Sequence, residues 1–421
     1  MKALSEIIGD SLTHESGIGA LTLPCFISEV GNSHKSNEAL YWCDLEGNDC
    51  RWTYAEVLQE SRKVAKSMLA TGIVKGTRVG VLISNRPEWL FCMFGAAMVG
   101  AITVAVNTFS TQRELRYQLE IADVSLLLME TEIASSSVIE DMFTLCPNLK
   151  SSVPGELMMD ELPFLRRVVC IDRGSGRNGV QEWQEFLTAG EKIPDSLVDA
   201  TIQSVSPVDD ALIFFSSGST AQSKAIRQTH RAATLQCWRT GKLYDLDDSA
   251  RTWNANGFFF SGNFALAFGT LSRGGCLVLL RYFDPDKAID LIQRENVSCV
   301  IDWPHQEARM QECPGWEKAD FSSVRWVMVN SAFHSHPTVK TDWQGFNGYG
   351  MTETFTFVTA VSGKDLVKGS QGKVWPGNTV RIIDPETGEI LPLGETGEII
   401  VKGPTLTPGY LKIPSEETLD N

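Results

Sequence analysis

The chain has 421 residues, of which 43% are hydrophobic and 21% are charged, a globular balance with enough apolar residues for a packed core. Its formal net charge is -15 and its pI is about 5.0, and a negative field of this size disfavours binding to nucleic acid. We therefore expect no nucleic-acid partner, whereas a small anionic ligand is compatible with the charge because backbone amides and one local lysine can hold it.

The N-terminus, residues 1–17, has acidic residues where a secretory signal requires an apolar core. Ten cysteines are scattered along the chain without a CxxC pair, and several lie in apolar runs such as residues 90–94. This pattern is typical of reduced, buried thiols. We therefore predict a cytoplasmic protein.

Helical and extended patterns alternate from residue 53 onwards. Thr53 and Glu56 predict a capping box at the start of an amphipathic helix that ends near residue 71. A buried strand is predicted over residues 78–83, a helix over 111–122 and a strand over 124–129. Such alternation indicates an α/β domain with a parallel sheet.

Residues 89–112 contain no charge and approach the length of a transmembrane helix. Glycines and polar residues interrupt this run, and its second half is rich in β-branched residues. A buried helix over about 87–99 followed by a buried strand over 101–106 explains the run better. We therefore expect no integral membrane segment.

Residues 150–205 have a less regular pattern, and alternation resumes at residue 211 with a helix predicted over 285–295 and extended chain over 298–302 and 323–330. After about residue 357, turn dipeptides separate short apolar stretches, which is typical of a small antiparallel or barrel-like unit. The predicted fold class is α/β, with two parallel-sheet α/β lobes and one small antiparallel barrel-like subdomain. The predicted boundaries are 1–205, 206–356 and 357–421.

A first chemistry-bearing motif lies at residues 212–225, where an apolar strand enters a loop of small hydroxyl residues that ends at Lys224. Small side chains allow the backbone to approach a phosphate, and the lysine adds a positive charge. The loop is not a Walker A motif, because no second glycine precedes Lys224, and the chain after it looks extended. A Ser/Thr-rich surface turn is the alternative.

A second motif, Asn-Gly-Tyr-Gly-Met-Thr-Glu, occupies residues 347–353. The ring of Tyr349 between two glycines is suited to packing on a purine, and Thr352 to donating a hydrogen bond to phosphate. Glu353 is a candidate ligand for Mg2+, a cation that prefers oxygen donors. The alternative is a tight turn with a helix-capping threonine. A third motif, residues 397–410, indicates by itself only strand, turn and strand.

Together, in this order and spacing, the three motifs resemble the adenylate-forming superfamily of acyl-CoA synthetases, peptide-synthetase adenylation domains and luciferases, over about residues 40–421. The resemblance implies that a small carboxylic acid attacks the α-phosphate of ATP and that coenzyme A intercepts the acyl-AMP. Mg2+ is the implied metal, and a carrier protein is a possible alternative acceptor. A non-catalytic acyl- or nucleotide-binding homologue, or half of a split system, is the rival interpretation.

The resemblance also implies roles for individual residues. Thr352, Glu353 and Lys224 are the implied catalytic residues, with Glu353 on the metal and Thr352 on the α-phosphate. The implied ATP-binding residues are Ser216, Ser217, Gly218, Ser219, Thr220 and Lys224 at the β- and γ-phosphates, Asn330, Ser331 and Ala332 beside adenine, and Gly348, Tyr349 and Gly350 at the adenine and acyl sites.

The implied substrate-binding residues are less sharply defined. Gly350 belongs to the acyl site, and Phe260 or Ser261 takes the place of a histidine that lines the acyl pocket in many acid-CoA ligases. The neighbouring phenylalanines are either pocket wall or core. His230 matches a histidine that follows the phosphate loop, with either a substrate-binding or a structural role.

Two departures from the family pattern limit these expectations. The phosphate loop has alanine at 221 and 225 where the family usually has glycine, and a left-handed backbone at Ala221 would be strained by about 1 kcal/mol. The chain also stops at Asn421, before the family's mobile C-terminal lid domain and its catalytic lysine. We therefore expect a truncated form, or less readily a natural half that works with a partner.

Overall fold

The computed structural model of the chain describes residues 3–172, 174, 176, 178–216, 223–328 and 330–413. Within these ranges short 3-10 helices lie at Leu12–His14, Pro147–Lys150, Gly190–Lys192, Trp316–Lys318, Ala332–Ser335, Thr352–Thr354 and Gly363–Asp365. The α-helices are Leu23–Ser33 (α1), Tyr54–Ala70 (α2), Pro87–Met98 (α3), Gln112–Ile121 (α4), Val138–Leu145 (α5), Trp183–Ala189 (α6), Asp195–Gln203 (α7), His230–Leu243 (α8), Ser261–Leu271 (α9), Pro285–Arg294 (α10) and Pro304–Gln311 (α11).

The strands form two larger sheets and three small ones. They are Glu6–Ile8 (β1), Glu38–Cys43 (β2), Asp49–Thr53 (β3), Arg78–Leu82 (β4), Ile102–Ala105 (β5), Leu126–Met129 (β6), Glu132–Ile133 (β7), Ser136–Ser137 (β8), Arg167–Cys170 (β9), Val180–Glu182 (β10), Asp210–Phe215 (β11), Ala225–Thr229 (β12), Arg251–Asn254 (β13), Cys276–Leu280 (β14), Cys299–Ile301 (β15), Phe346–Met351 (β16), Thr356–Ser362 (β17), Lys373–Val374 (β18), Thr379–Ile383 (β19) and Glu398–Lys402 (β20).

The first sheet has seven strands in the order β10-β9-β6-β4-β5-β11-β12. All neighbouring pairs are parallel except β11 and β12, which are antiparallel. Strands β5 and β6 are buried at every position, as expected for strands covered on both faces. The predicted parallel α/β sheet is therefore confirmed, and the extended chain predicted after Lys224 is β12.

The second sheet has five strands in the order β15-β13-β14-β2-β3, parallel except for the β2–β3 pair. Strands β2 and β3 come from the N-terminal part of the chain, whereas β11 and β12 of the first sheet come from beyond residue 205. The two sheets therefore do not divide at residue 205, because each recruits strands from both sides of it.

The main hydrophobic core connects the two sheets. One continuous buried cluster includes Val81 of β4 and Phe214 of β11 in the first sheet and Leu40 of β2 and Leu279 of β14 in the second. Helices α2 and α3 pack on each other, as do α8 and α9, and both pairs contribute to this cluster. These four helices therefore form a layer shared by the two sheets.

The C-terminal part contains two small antiparallel sheets, β16-β17-β18 and β1-β19-β20. In the ranges that the structure covers, no strand pairing joins the two. The segment 357–421, predicted to be a barrel-like subdomain, contributes strands to two three-stranded sheets, of which one includes β16 from before residue 357 and the other β1 from the N-terminal part. The antiparallel character predicted from the turn dipeptides is confirmed.

Several local predictions are confirmed. The Thr53–Glu56 capping box is present, with each side chain bonded to the other residue's backbone amide. The uncharged run forms α3 and β5, both buried, and no helix of the described residues is long and apolar enough to cross a membrane. Seven of the ten cysteines are buried, as predicted, whereas Cys25 and Cys50 are exposed and Cys313 is partly exposed.

Two local predictions are confirmed only in part. Residues 150–205, predicted to be less regular, contain β9, β10, α6 and α7. These elements are nine residues or shorter, so their periodicity is weak, and packing at the edge of the first sheet stabilises them. Extended chain was predicted over 323–330, and among its described residues Trp326 forms an isolated parallel bridge with Cys299 of β15, without a longer strand.

Candidate active site

The stem of the predicted phosphate loop is closed by two hydrogen bonds between its ends. The amide of Ser216 donates to the carbonyl of Lys224 at 3.0 Å, and the amide of Lys224 donates to Oγ of Ser216 at 2.9 Å. The Tyr117 hydroxyl donates to the carbonyl of Ser223 at 2.8 Å. The hairpin of β11 and β12 thus fixes both ends of the loop, while the candidate residues Ser217, Gly218, Ser219 and Thr220 lie outside the described residues.

The C-terminal end of the third sequence motif lies along the free edge of β12. The amide of Leu411 donates to the carbonyl of Ala225 at 2.8 Å, and the amide of Arg227 donates to the carbonyl of Gly409 at 3.2 Å. The Thr407 hydroxyl adds a bond to the Arg227 carbonyl at 2.6 Å. The segment 407–411 is therefore positioned beside the stem of the phosphate loop.

Tyr410, in the middle of this segment, contacts both Lys224 and Glu353. Its ring centroid lies 4.6 Å from Nζ of Lys224, a cation–π contact. Its hydroxyl donates to Oε1 of Glu353 at 3.0 Å. Burial, with the Glu353 carboxylate adding to it, raises the pKa of Tyr410 to about 12, so the hydroxyl stays a donor at neutral pH.

The side chains of Lys224 and Glu353 can each make a further ion pair or hydrogen bond. Both residues are partly exposed, and no described carboxylate forms an ion pair with Lys224. Oε2 of Glu353 has no described hydrogen-bond partner, while its carbonyl accepts from the amide of Thr407 at 2.7 Å. The backbone is therefore anchored, and one ammonium group and one carboxylate oxygen are available to a ligand.

Thr352 is anchored in a similar way. Its carbonyl accepts a short hydrogen bond from Nε2 of Gln228, which is buried in β12. Its own hydroxyl makes no hydrogen bond to any residue that the structure describes, and the residue is partly exposed. The threonine hydroxyl is thus left to interact with a ligand beside Glu353.

The two glycines of the second motif are required by a close approach of β16 to β17. A Cβ at Gly350 would lie 1.6 Å from the carbonyl oxygen of Thr356, and one at Gly348 would lie 2.7 Å from Cδ1 of Phe357. The strand pairing also shifts register between Tyr349 and Gly350. Only glycine therefore fits at position 350. The irregular strand pairing there directs Tyr349 and the residues that follow it towards the stem of the phosphate loop.

The turn after the motif is held in a strained backbone conformation. Phe355 and Thr356 have φ angles of 51° and 96°, which are uncommon for residues with a side chain. The hydroxyl of Thr354 donates to the Thr356 carbonyl at 2.6 Å and accepts from the Met351 amide at 3.0 Å. Thr354 is buried and therefore fixes the turn that carries Thr352 and Glu353.

The adenine-side candidates are held by Glu307 of α11. Oγ of Ser331 donates to Oε1 of Glu307 at 2.5 Å, and the amide of Ala332 donates to Oε2 at 2.7 Å. Asn330 is exposed and has a φ of 68°. No hydrogen bond of the described residues joins this segment directly to the Lys224, Tyr410 and Glu353 cluster.

The acyl-site candidates Phe260 and Ser261 begin helix α9. Phe260 is 39% exposed, whereas Ser261 is 6% exposed. Phe264 of the same helix lies 5.5 Å from Phe355, between ring centroids, which places the start of α9 near the second motif. Phe258, by contrast, is buried against Trp89 and belongs to the core. Of the two roles left open, Phe258 therefore takes the core role and Phe260 retains an accessible ring.

His230 lies away from this cluster. It is fully buried, its Nδ1 accepts from the amide of Leu23 at 3.3 Å, and its Nε2 has no described partner. Burial lowers its pKa to about 4, so the ring is neutral. This position favours the structural role over the substrate-binding role.

The described side chains form no cluster of three or more His, Cys, Asp or Glu residues suited to a metal ion. Glu353 offers one free carboxylate oxygen beside the ammonium of Lys224. This arrangement fits a Mg2+ ion held mainly by phosphate oxygens and by one protein carboxylate, as is usual for nucleotide-bound magnesium.

The sequence analysis did not predict the contacts that three residues make in this site. Tyr410 was part of a recognised motif but had no assigned contact. Gln228 and Tyr117 carry no local signal, because their roles arise only when β12 pairs with segment 407–411 and α4 packs near the loop stem.

Comparison of the chain with known proteins identifies its relatives. A family model described as AMP-binding enzyme matches residues 27–411. The acyl-CoA ligase SID4 of Ajellomyces capsulatus is 28% identical over 394 residues, which are 89% of this chain and 64% of that protein. The 4-coumarate–CoA ligase 3 of Oryza sativa subsp. japonica is 28% identical over 392 residues, or 88% of this chain and 65% of that protein.

Solved structures show the same fold at lower identity. A long-chain-fatty-acid–CoA ligase from Archaeoglobus fulgidus superposes with a TM-score of 0.73 at 19% identity, covering 99% of this chain and 81% of that one. The N-terminal domain of FACL13 from Mycobacterium tuberculosis superposes with a TM-score of 0.72 at 19% identity, covering 95% and 93%. The chain thus spans about two thirds of the length of several curated relatives and nearly all of a solved N-terminal domain.

Proposed function

The chain belongs to the family of AMP-binding enzymes, and we propose that it activates a carboxylic acid with ATP and transfers the acyl group to coenzyme A. The observation that carries this proposal is the cluster of Lys224, Glu353 and Tyr410 at the stem of the phosphate loop. It places one free ammonium group and one free carboxylate oxygen where a metal-bound polyphosphate needs both.

In the proposed reaction, a carboxylate oxygen of the acid attacks the α-phosphorus of ATP. The new bond joins the carboxylate oxygen to phosphorus, and the bond to the β-phosphate oxygen breaks to release pyrophosphate. The thiolate of coenzyme A then attacks the acyl carbon, and AMP leaves with the electron pair of the carbon–oxygen bond. Catalysis of the first step depends on positioning two anions and stabilising the charge on the α-phosphate.

Each site residue has a defined part in this proposal. Ser216 and Lys224 face the β- and γ-phosphates from the loop stem, together with Ser217, Gly218, Ser219 and Thr220 as the resemblance implies. Thr352 donates its free hydroxyl to the α-phosphate. Mg2+, when bound to Oε2 of Glu353 and to phosphate oxygens, would neutralise charge on the reacting phosphate.

The nucleoside end of ATP is proposed to lie against two segments. Tyr349 presents its partly exposed ring between Gly348 and Gly350. Asn330, Ser331 and Ala332 supply the adenine side, with the last two fixed by Glu307. Phe260 and Gly350 are the proposed contacts to the acyl group, since both are exposed near the second motif.

Coenzyme A is the preferred acceptor because the curated relatives are named as CoA ligases. A carrier protein is the second acceptor to test. The cytoplasmic location stays a prediction, supported by the burial of seven of the ten cysteines.

The proposal is tested by incubating the chain with ATP, Mg2+ and a panel of fatty, aromatic and hydroxylated acids, with hydroxylamine to trap activated acyl groups. We expect acid-dependent AMP and a hydroxamate with at least one class of acid. Glu353→Gln and Lys224→Ala should lower the rate at least tenfold, whereas the matched controls Glu398→Gln and Lys412→Ala at exposed positions should not. AMP release independent of any acid, or equal rates in all variants, would contradict the proposal.

A further inference from the structure

A buried carboxyl group with an unused oxygen lies at the carboxyl end of the second sheet. Asp302 directly follows β15 and is 8% exposed. Among the described residues, no hydrogen-bond donor reaches its Oδ2 and no basic side chain forms an ion pair with it. An unpaired buried acceptor of this kind destabilises the ligand-free protein and is rare in folded proteins, so a functional explanation is needed.

The neighbouring carboxylate is Glu307, which is also buried and makes a side-chain hydrogen bond with the Asp302 carboxyl group. The two oxygens of Glu307 accept from Ser331 and Ala332. Burial, with the Glu307 carboxylate adding to it, raises the pKa of Asp302 well above its ordinary value. This shift favours the protonated form of Asp302, which shares one hydrogen bond with Glu307 and keeps acceptor capacity for a ligand.

A second unpaired polar group lies at the adjacent strand end. Strand β13 runs parallel to β15, with Asn254 opposite Ile301, and the amide of Ala255 donates to the Ile301 carbonyl at 3.0 Å. Asn256 follows directly, and its Nδ2 is buried without a partner. Ligands of open α/β sheets bind beyond the carboxyl ends of the strands, which is where these two groups lie.

The location also connects the two halves of the proposed substrate. Asn256 lies four residues before Phe260, a proposed contact to the acyl group. Glu307, beside Asp302, holds the segment proposed for adenine. Asp302 thus lies next to elements that carry both the acyl and the adenine contacts.

We propose that Asp302 accepts a hydrogen bond from a hydroxyl or amino group on the acyl part of the substrate, with Asn256 as a second polar contact. This inference rests on the proposed function and narrows its substrate to acids that carry such a polar substituent. A site that is built to hydrogen-bond a substrate group rejects the analogue without it, because the buried polar atoms of the protein then stay unpaired.

The test uses acyl sulfamoyl adenosines, which mimic acyl-AMP without reacting, in two matched series. One series carries hexanoyl, 6-hydroxyhexanoyl and 6-aminohexanoyl groups, and the other benzoyl, 4-hydroxybenzoyl and 4-aminobenzoyl groups. Calorimetry on the full chain should give at least tenfold tighter binding for a substituted member than for the plain member of one series. Comparison of the hydroxyl and amino analogues shows which of the two groups donates a hydrogen bond to the site.

Variants separate this role from a structural one. Asp302→Leu should abolish or reverse the preference for the substituted analogue. The nearly isosteric Asp302→Asn, which serves if the leucine variant does not fold, should lower the amino-over-plain preference at least tenfold, because an amide cannot ionise to pair with a bound ammonium group. Asp248→Asn, the same kind of substitution at an exposed position, is the matched control and should leave the affinities and the preference unchanged.

The outcomes distinguish the inference from the function on which it rests. If the plain and substituted analogues bind equally in both series, Asp302 contacts only a buried water. This outcome overturns the inference and leaves the proposed function intact. An unchanged preference in both Asp302 variants also overturns it. Failure of every analogue, and of unsubstituted sulfamoyl adenosine, to bind contradicts the proposed function itself.

Discussion

The hydroxyl of Tyr410 lies 3.0 Å from Oε1 of Glu353, and the ring of the same tyrosine lies 4.6 Å from Nζ of Lys224. One side chain thus touches both the proposed metal-binding carboxylate and the lysine of the phosphate loop. Since Tyr410 is itself fixed to the edge of β12, it determines the separation and orientation of these two charged groups.

Removing only the hydroxyl should weaken metal–nucleotide binding. In Tyr410→Phe, the Glu353 carboxylate loses a charge-assisted hydrogen bond, while the ring still packs against Lys224. We expect the Kd for ATP in the presence of Mg2+ to rise about tenfold, as loss of a hydrogen bond to a charged group predicts. Calorimetric titration measures this change.

Tyr282→Phe is the control for the Tyr410 variant, because the Tyr282 hydroxyl makes no hydrogen bond among the described residues. It should leave the Kd unchanged. If Tyr410→Phe bound ATP as tightly as the unmodified chain, the tyrosine would not orient Glu353.

The close approach at Gly350 predicts a large effect of a single methyl group. A Cβ there would lie 1.6 Å from the Thr356 carbonyl oxygen, so Gly350→Ala must push β16 and β17 apart. We expect the free energy of unfolding to fall by about 3 kcal/mol, at the upper end of overpacking effects. Urea denaturation followed by circular dichroism provides the measurement.

Gly262→Ala is the matched control for this substitution, since a Cβ at Gly262 meets no atom within 4 Å. It lies in helix α9, where alanine is favoured over glycine, and should not destabilise the protein. Equal stability of the two variants would show that the strand irregularity does not require glycine.

Buried His230 should make the protein less stable in acid. Burial lowers its pKa to about 4, while nearby Asp209 opposes and Lys75 adds to that shift. Because the unfolded chain binds the proton more readily, the contribution of His230 is complete above about pH 6.5 and is lost as the pH falls towards 4. Between pH 7.5 and 5.0 the expected loss is about 2 kcal/mol.

His230→Asn keeps an acceptor for the Leu23 amide but does not titrate. Between pH 7.5 and 5.0 the free energy of unfolding of this variant should therefore decrease by about 2 kcal/mol less than that of the unmodified chain. The exposed His14→Asn is the control and should follow the unmodified chain. Identical pH profiles for all three proteins would mean that folding does not lower the pKa of His230.

Sequence reasoning predicted those features that depend on neighbouring residues. Thr53 and Glu56 are three residues apart, so their capping box is readable from the sequence. The parallel strands were readable from their continuous apolar runs. The phosphate-loop stem followed from an apolar strand that leads to a hydroxyl-rich loop.

Features that depend on distant contacts were not readable. Tyr410 and Glu353 are 57 residues apart and meet only because segment 407–411 pairs with β12. In the same way, β2 lies beside β14 although more than 200 residues separate them, and β1 completes a sheet at the other end of the chain. Asp302 carries no local signal, because its unpaired oxygen results from the packing of β15, α11 and segment 330–332.

Calorimetric titration of ATP, with and without Mg2+, into the unmodified chain and into Glu353→Gln tests most directly whether Glu353 belongs to a nucleotide site. With Mg2+ present, the unmodified chain should bind ATP at least tenfold more tightly than the variant, and the difference should disappear when Mg2+ is removed with EDTA. Equal affinities of the two proteins in the presence of Mg2+, or no binding of ATP by the unmodified chain, would contradict the assignment of this site.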